Sequence, residues 1–134
     1  MKTTHLMFVF SLVALTGCST THPAGDTKAD PETVLVTYHA RPGREEELEE
    51  LLARSWQIYQ AEHLVFGRPH IVVRSTEDGG STSFVEVLTW VSHATPEHVP
   101  DAVKKIWGQE QALCEARGGH GGIEGGEVEL VTGK

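Results

Sequence analysis

The sequence predicts an α+β fold of the ferredoxin-like kind, with a four-stranded antiparallel sheet and the element order βαββαβ. Two observations support this prediction. From residue 33 onward, stretches rich in β-branched residues alternate with stretches whose apolar residues recur at helical spacing. Glycine and proline stand between these stretches, as is typical of turns. The resulting order is the split βαβ arrangement with right-handed crossovers.

The first half of the domain is predicted to contain a strand, a helix and a second strand. The run 34–40 is rich in β-forming residues and is followed by the turn pair Pro42-Gly43. A helix that begins with three glutamates is expected to reach about His63, since acidic residues suit a helix N-terminus. Its apolar residues lie at helical spacing: Leu48, Leu51, Leu52, Trp56 and Tyr59. Gly67-Arg68-Pro69 interrupts the pattern before a strand at 70–75.

The third predicted strand indicates that two copies of the domain associate. A hairpin turn at 77–80 leads into the strand 82–91, which is largely apolar on both faces. One face carries Val85, Val87, Thr89 and Val91, and the other carries Phe84, Glu86, Leu88 and Trp90. Two helices cover only one face of a four-stranded sheet. We therefore expect a homodimer, in which the open sheets of two copies close into an α/β barrel.

The last part of the domain is predicted to contain a second helix and a fourth strand. Thr95-Pro96 is a helix-start pair, and Pro100 is expected to kink or restart the helix. Gly118-Gly119 is expected to end it. The glycine-rich run 118–126 is interpreted as a linker, and 127–131 as the last strand.

The N-terminal residues predict export and lipid attachment. Lys2 precedes an apolar run that is roughly half as long as a membrane-spanning helix, which is typical of a signal peptide. Leu15-Thr16-Gly17-Cys18 resembles the lipobox of bacterial lipoproteins. The resemblance implies removal of residues 1–17 and lipid on Cys18, which would hold the protein on a membrane. The alternative is an ordinary secretory signal with a chance cysteine.

The predicted mature chain consists of a tether, 18–32, and one domain, 33–134. The tether contains no large apolar residue and has no periodicity, so it is expected to be flexible. Ser19 after the lipidated cysteine resembles lipoproteins that are sorted onward to the outer membrane. We therefore expect the protein in the cell envelope, on the periplasmic face of the outer membrane if the cell is Gram-negative.

Charge and cysteine content exclude some functions. The chain has 11 basic and 19 acidic residues, and removal of residues 1–17 takes away only Lys2, so the formal charge moves from −8 to −9. Phosphate backbones repel such a chain, and nucleic acid is not an expected partner. With Cys18 lipidated, Cys114 is the only thiol, so no internal disulfide can form.

Residues 33–132 resemble the antibiotic-biosynthesis-monooxygenase-like members of the dimeric α/β-barrel superfamily. The resemblance rests on the element order, on the strand Phe84-Val-Glu-Val-Leu-Thr-Trp90, and on the helix entry His93-Ala-Thr-Pro-Glu-His98. It implies a dimeric barrel. The superfamily includes cofactor-free oxygenases, haem-degrading enzymes and many members without an assigned activity, so the resemblance chooses no single reaction.

Strand parity places a candidate site on the sheet. Alternate residues of a strand lie on the same face. In each of three strands we expect the more polar set of alternate residues to lie on the face away from the helices: Leu35, Thr37, His39, His70, Val72, Arg74, Phe84, Glu86, Leu88 and Trp90. The candidate catalytic residues are Glu86, His39 and Trp90. The candidate ligand-binding residues are Arg74, His70, Phe84 and His98. Apolar walls with a few polar groups are typical of pockets for small apolar molecules.

Glu86 is the least expected residue of this set, because a buried carboxylate must be paired or change its pKa. Arg74 on the neighbouring strand is its expected partner, and the two could form an ordinary structural ion pair. Alternatively, Glu86 or His39 acts as a base that removes a proton from an enolisable or phenolic substrate, which then reacts with oxygen without a cofactor.

Haem and metal sites fit the sequence less well. The haem-degrading relatives use an Asn, a Trp and a His, which Trp90 and His98 would partly match, but the chain contains no asparagine. His93 and His98 are five residues apart, which is not the spacing of a helical zinc pair. Trp56 and Trp107 are interpreted as core residues. Two classes of function remain open: a barrel enzyme or binder of a small apolar molecule, and a non-catalytic dimeric envelope module.

Overall fold

The structure is a computed structural model that describes residues 30–131. The predicted signal peptide, Cys18 and residues 18–29 of the tether lie outside the described residues. The elements are β1 (Glu32–His39), α1 (Glu45–Ala61), β2 (Val65–Thr76), β3 (Thr82–Trp90), α2 (Asp101–Leu113) and β4 (Ile123–Glu127), with a short 3-10 helix at Thr95–His98. This order confirms the predicted α+β ferredoxin-like fold.

The four strands form one antiparallel sheet in the order β2-β3-β1-β4. Glu86 at the middle of β3 lies opposite Val36 in β1 and Val72 in β2. Residues opposite each other in an antiparallel pair share a face. This register therefore decides which side chains point towards the helices.

Both helices pack on the same face of the sheet. The glutamates of the first turn of α1 stay outside the core, where the helix dipole favours them. The buried side of α1 contacts the sheet and α2, and it includes Leu48, Leu51 and Leu52. Aliphatic side chains of this size contribute about 2 kcal/mol each when they are fully buried. The core of the domain thus lies between the helices and one face of the sheet.

The predicted shared face was partly wrong. The β2 and β3 residues of the set do lie on one face, but it is the face covered by the helices, where Phe84, Leu88 and Trp90 join the core. The β1 residues on this face are Val34, Val36 and Tyr38, whereas Leu35, Thr37 and His39 lie on the opposite face. Parity within one strand could not reveal this, because it does not specify the pairing between strands.

The ends of the last two elements also differ from the prediction. Helix α2 ends at Leu113, before the glycines, since Cys114 is extended and bridges to Ala40. The fourth strand is Ile123–Glu127, within the run interpreted as a linker, and residues 128–131 form no strand. Glycine has low β-propensity, so the pattern hid a strand that is held by backbone pairing with β1.

Strand β2 begins earlier than predicted, at Val65. Gly67-Arg68-Pro69 lies inside the strand and causes a register shift between Val65 and His70. A proline is tolerated there because β2 is an edge strand, with only β3 beside it. The prediction that Pro100 restarts the second helix is confirmed, since the 3-10 helix ends at His98 and α2 starts at Asp101.

The face of the sheet away from the helices is apolar at its centre. Its strand residues include Leu35, Val85, Val87, Ile71 and Val73. Ile71 and Val73 are about half exposed, at 51% and 48%. We call this surface, defined by those five residues, the open face. Among residues 30–131, no helix has the length and apolar character needed to cross a membrane.

Candidate functional site

A cavity of about 340 Å³ lies between the sheet and the two helices. Its wall is mostly aromatic and aliphatic, with polar groups supplied by two tyrosine hydroxyls, a carboxyl and an amide. These residues are Val36, Tyr38, Tyr59, Leu88, Trp90, Trp107, Glu110, Gln111 and Ile123. Apolar walls with a few polar groups are the usual composition of small-molecule sites. We call this space the helix-side cavity.

Aromatic contacts shape one side of the helix-side cavity. The indole N–H of Trp107 donates a hydrogen bond to the Tyr59 hydroxyl at 2.6 Å. The ring of Trp90 lies 5.2 Å from that of Tyr59 and meets Trp107 edge-on at 6.3 Å, measured between ring centroids. Such tilted and edge-on pairs stabilise each other beyond the effect of their burial. Burial raises the pKa of Tyr59, so its hydroxyl stays neutral.

Glu110 is the carboxyl group in the cavity wall. It projects from α2 and is only 2% exposed. Burial raises the pKa of Glu110 to about 7, although a hydrogen bond with Ser55 opposes the rise. A group with such a pKa can both accept and release a proton near neutral pH.

The hydrogen bonds of Ser55 are consistent with a neutral Glu110. The Ser55 hydroxyl oxygen is 2.9 Å from the Leu51 carbonyl oxygen and also lies within hydrogen-bond distance of Glu110 Oε1. A hydroxyl has a single proton to donate. When that proton goes to Leu51, the second hydrogen bond forms only if Glu110 carries a proton and donates it to Ser55.

Glu86 lies beside the cavity and is fully buried. The Tyr38 hydroxyl donates a hydrogen bond to Glu86 Oε2 at 2.9 Å, and His70 Nε2 lies 2.9 Å from Glu86 Oε1. Tyr38 lines the cavity, so it stands between the cavity and Glu86. Burial and the adjacent Glu86 carboxylate raise the pKa of Tyr38 well above its ordinary value. Both Glu86 oxygens are therefore occupied.

Arg74 is not the partner of Glu86, contrary to the prediction. Its guanidinium lies 3.4 Å from the carboxylate of Glu49 on α1 and 5.7 Å from the centre of the Phe84 ring. Glu86 is paired with His70 instead. His70 and Arg74 lie two residues before and two residues after Val72, the β2 residue opposite Glu86. The long arginine side chain reaches water, where its charge is better solvated. Phe84 itself is a core residue and does not line the cavity.

His70 connects this buried group to the surface. Its ring stacks on Trp56 of α1, with centroids 3.7 Å apart and an interplanar angle of 3°. The His70 side chain is 20% exposed, whereas that of Glu86 is 0% exposed. His70 and Trp56 line an open cleft together with residues 67–69 and Ile71. A path of hydrogen-bonded groups thus runs from the cavity, across three strands, to this cleft.

His39 lies on the other face of the sheet and cannot act in the helix-side cavity. Its Nδ1 is 2.7 Å from Glu77 Oε1, and its Nε2 is 3.6 Å from Glu124 Oε2. Arg117 contacts Glu77 at 2.7 Å. Hydrogen bonding to Arg117, followed by that to His39, lowers the pKa of Glu77. This cluster closes the end of the sheet near the β2–β3 turn.

His98 is also separate from the cavity. It is exposed, and its Nδ1 lies 3.0 Å from the Ala94 carbonyl oxygen. Trp90 lines the cavity and His98 does not, so the two residues that would partly match a haem site are not brought together. Among the described residues, no three histidine, cysteine or acidic side chains converge at metal-ligand spacing.

The sequence prediction thus put Trp90, Glu86 and His70 on a shared face, but it paired Glu86 with Arg74 and missed most of the cavity wall. The missed residues are Tyr38, Tyr59, Trp107, Glu110 and Gln111. A signal for Glu110 was present, since this charged residue occupies the apolar stripe of α2 with Ile106 and Leu113. Trp107, interpreted as core, is partly a cavity residue.

Neither a scan against protein-family models nor a search of curated proteins found a match. Solved structures do match. A SnoaB mutant from Streptomyces nogalater, a cofactor-independent oxygenase, has a TM-score of 0.58 and 18% identity over 78% of this chain and 97% of its own. Rv0793 from Mycobacterium tuberculosis has a TM-score of 0.56 and 18% identity over 78% and 98%.

A third solved structure is of a protein named as an enzyme. A candidate antibiotic biosynthesis monooxygenase from Caulobacter crescentus has a TM-score of 0.55 and 14% identity, over 78% of this chain and 93% of its own. Sequence identities this low show a shared fold and do not show a shared site. The chain therefore has the fold of the antibiotic-biosynthesis-monooxygenase-like proteins.

Proposed function

We propose that the protein binds a small, largely apolar aromatic molecule in the helix-side cavity. The observation that carries this proposal is the combination of aromatic walls with Glu110, whose pKa is about 7, in one cavity. Aromatic rings on Tyr59, Trp90 and Trp107 suit a flat ligand, and the buried oxygens of Glu110 and Tyr38 suit ligand hydroxyl groups. A cavity of about 340 Å³ admits a molecule of two or three fused rings.

We further propose that Glu110 is the general base of a cofactor-free oxidation. Above pH 7 its carboxylate can take a proton from a phenolic or enolisable ligand, and the resulting anion can pass an electron to dioxygen. The electrons then come from the substrate, and no haem, flavin or metal is needed. Likeness in fold to a cofactor-independent oxygenase supports this proposal. Glu86, which is sealed behind Tyr38, acts here only through that tyrosine.

The test is binding and oxygen consumption with 1-naphthol as the probe. We expect naphthol to quench tryptophan fluorescence, Trp107→Ala to weaken binding roughly tenfold, and Glu110→Gln to keep binding while oxygen consumption stops. Arg74→Gln is the matched control, because Arg74 faces solvent outside the cavity. Absence of binding by the unmodified chain would overturn the proposal of a ligand site.

A second function is supported by a different observation. Glu86 is 0% exposed and both of its oxygens are hydrogen-bonded, as expected for a structural polar group in a non-catalytic dimeric envelope module. This alternative predicts that Glu86→Gln changes stability, and that no small aromatic molecule binds above the level of an unrelated protein. The naphthol titration separates the two functions.

We propose that the open face is the surface on which two copies associate into a barrel. Leu35, Val85 and Val87 form a continuous apolar strip, and Ile71 and Val73 are half exposed beside it. Contiguous apolar patches of this kind are uncommon on monomers. A native mass spectrum of the chain should show a dimer, and a monomer at micromolar concentration would contradict the proposal.

We also propose that the chain is held on the cell envelope through lipid on Cys18, at the periplasmic face of the outer membrane in a Gram-negative cell. The support is the lipobox-like Leu15-Thr16-Gly17-Cys18. Cells that express the full-length chain should incorporate labelled palmitate into the protein, and Cys18→Ser should abolish the label. A labelled Cys18→Ser chain would contradict this assignment.

A further inference from the structure

The unusual feature of the helix-facing side is an unbroken line of polar groups that passes through the apolar core. Tyr38 in β1, Glu86 in β3 and His70 in β2 lie side by side across the sheet, with 2.9 Å at each of the two hydrogen bonds. Tyr38 lines the cavity, and His70 is partly exposed in the cleft at the edge of the sheet. Glu86, in the middle of this line, is fully buried.

Stability alone does not explain a buried line of polar groups, because apolar residues could fill the same space at least as stably. An apolar residue in place of Glu86 would pack against Val36 and Val72, which lie opposite it in the neighbouring strands. Replacing a satisfied buried polar network by apolar groups of similar shape is often neutral or stabilising. The arrangement instead connects two spaces on the helix-facing side, the cavity and the cleft, that the packed core otherwise separates.

We propose that Tyr38, Glu86 and His70 form a proton relay between the helix-side cavity and the solvent at the cleft. The proposal rests on the proposed function, because the cavity ligand is the source of the proton. In this relay His70 is a positioning residue that acts on the ligand only through Glu86 and Tyr38. Its stacking on Trp56 holds Nε2 towards the carboxylate.

The relay transfers one proton from the ligand to water, with no net change in the protein. A ligand hydroxyl gives its proton to the Tyr38 oxygen while Tyr38 gives its own proton to Glu86 Oε2. The carboxyl group is then neutral, and a half-turn about its terminal bond brings the protonated oxygen to His70. At rest His70 donates from Nε2 to Glu86 Oε1. Proton exchange with water at the cleft gives the tautomer with hydrogen on Nδ1, which accepts the relayed proton at Nε2 and releases the Nδ1 proton to water, so the resting tautomer is restored. One proton leaves the ligand, one reaches solvent, and no electron moves.

Among the described residues, few titratable groups lie near the relay. Besides the two hydrogen-bond partners of Glu86, the buried space holds Tyr59 on α1 and Glu110 on α2. Glu110 sits on the cavity side with Ser55, so it can serve as base for the ligand while the relay removes the proton of a second hydroxyl. The two carboxylates therefore act on different ligand hydroxyl groups.

The first test needs no ligand. In the full-length chain, the pH at which the His70 ring signals change in NMR should rise by roughly half a unit in Tyr38→Phe, since the carboxylate loses a donor and attracts the imidazolium more strongly. It should fall in Glu86→Gln. Tyr59→Phe is the matched control, because the Tyr59 hydroxyl accepts from Trp107 and makes no bond to Glu86. Equal behaviour of the two Tyr→Phe variants would overturn the relay.

A measurement on the unmodified chain covers the case in which Tyr38→Phe does not fold. The carboxyl carbon signal of Glu86 should change over the same pH range as the His70 ring signals, because the two groups share a proton. Independent transitions would show that the groups are not coupled, and the relay would be wrong.

The second test follows the proton itself, with 4-nitrophenol as the cavity probe. After a rapid pH jump, the bound phenol should ionise roughly tenfold more slowly in His70→Phe than in the unmodified chain, while His98→Gln should match the unmodified chain. An unchanged rate in His70→Phe would overturn the relay and leave the ligand site standing. Failure of 4-nitrophenol to bind would count against the ligand site, and the His70 titration would still decide the relay.

Discussion

The two faces of the sheet carry similar titratable residues in different surroundings. On the helix side, Glu86 and Glu110 are 0% and 2% exposed and lie among aromatic rings. On the other side, Glu77 pairs with His39 and Arg117 near the end of the sheet, where its side chain is 25% exposed. The pKa of the Glu110 carboxyl group is thus raised to about 7 on the helix side, whereas the pKa of the Glu77 carboxyl group is lowered on the other side.

The difference shows that solvent access, and not residue type, separates a site from a surface ion pair. Water, the Arg117 guanidinium and a hydrogen bond with His39 stabilise the charge of Glu77, whereas burial penalises the charge of Glu110. A reactive carboxyl group is therefore expected on the helix side.

Glu86→Ala should lower the free energy of unfolding by about 4 kcal/mol, because it leaves the Tyr38 hydroxyl and the His70 ring without their buried partner and opens a void. Glu77→Ala should lower it by about 1 kcal/mol, since water can replace the lost contacts. Urea unfolding at one pH measures both. Equal losses for the two variants would contradict the contrast between the faces.

The stability of the chain should depend on pH through Glu110. The folded-state pKa of Glu110 is about 7 and its ordinary value is 4.5, so the folded state holds an extra proton between these values. Its contribution is fully present below pH 4.5 and is lost as the pH rises through 7, by roughly 3 kcal/mol. Glu110→Gln should lack this loss. The check is the difference in unfolding free energy between the two chains at pH 4.5 and pH 8, which would be constant if Glu110 were ordinary.

Val87→Asp should weaken association of two copies at least tenfold, or about 1.4 kcal/mol, because it places a charge at the centre of the open face. Analytical ultracentrifugation as a function of concentration measures the change. Glu97→Asp, away from the open face on the 3-10 helix, is the control. A dimer of unchanged stability would show that the open face is not the contact.

Arg74→Gln should change the unfolding free energy by less than about 0.5 kcal/mol, because its pair with Glu49 spans 3.4 Å between half-exposed side chains. This variant tests the correction that Arg74 is not the partner of Glu86. A loss comparable to that of Glu86→Ala, measured in the same urea series, would restore the predicted pair.

Much of the fold could be predicted because local patterns agree with it. The apolar spacing of α1 and the proline restart before α2 correspond to the observed helices. Strand β4 could not be predicted, since Gly125 and Gly126 carry no strand signal and their pairing with β1 comes from distant residues. Local propensity is a weak guide where tertiary pairing decides the conformation.

The site was harder to predict than the fold. Glu86 stood out because a carboxylate in an apolar strand is unusual, and the structure places it fully in the core. Its partners could not be chosen from the sequence, since Arg74 and His70 lie on the same parity of β2 and differ only in side-chain reach. Glu110 was available as a charged residue in an apolar stripe, but only its contact with Ser55 revealed its burial.

The sequence by itself determined the element order, the antiparallel ferredoxin-like class and the largely apolar character of both faces of β3. These properties depend on residues that are close in the chain, whose periodicity can be read directly. Only the tertiary structure decided that Tyr38, and not His39, shares a face with Glu86, because this depends on the pairing register of β1 with β3. A shift of one residue moves every side chain of a strand to the other face, and the packing of the whole domain selects the register.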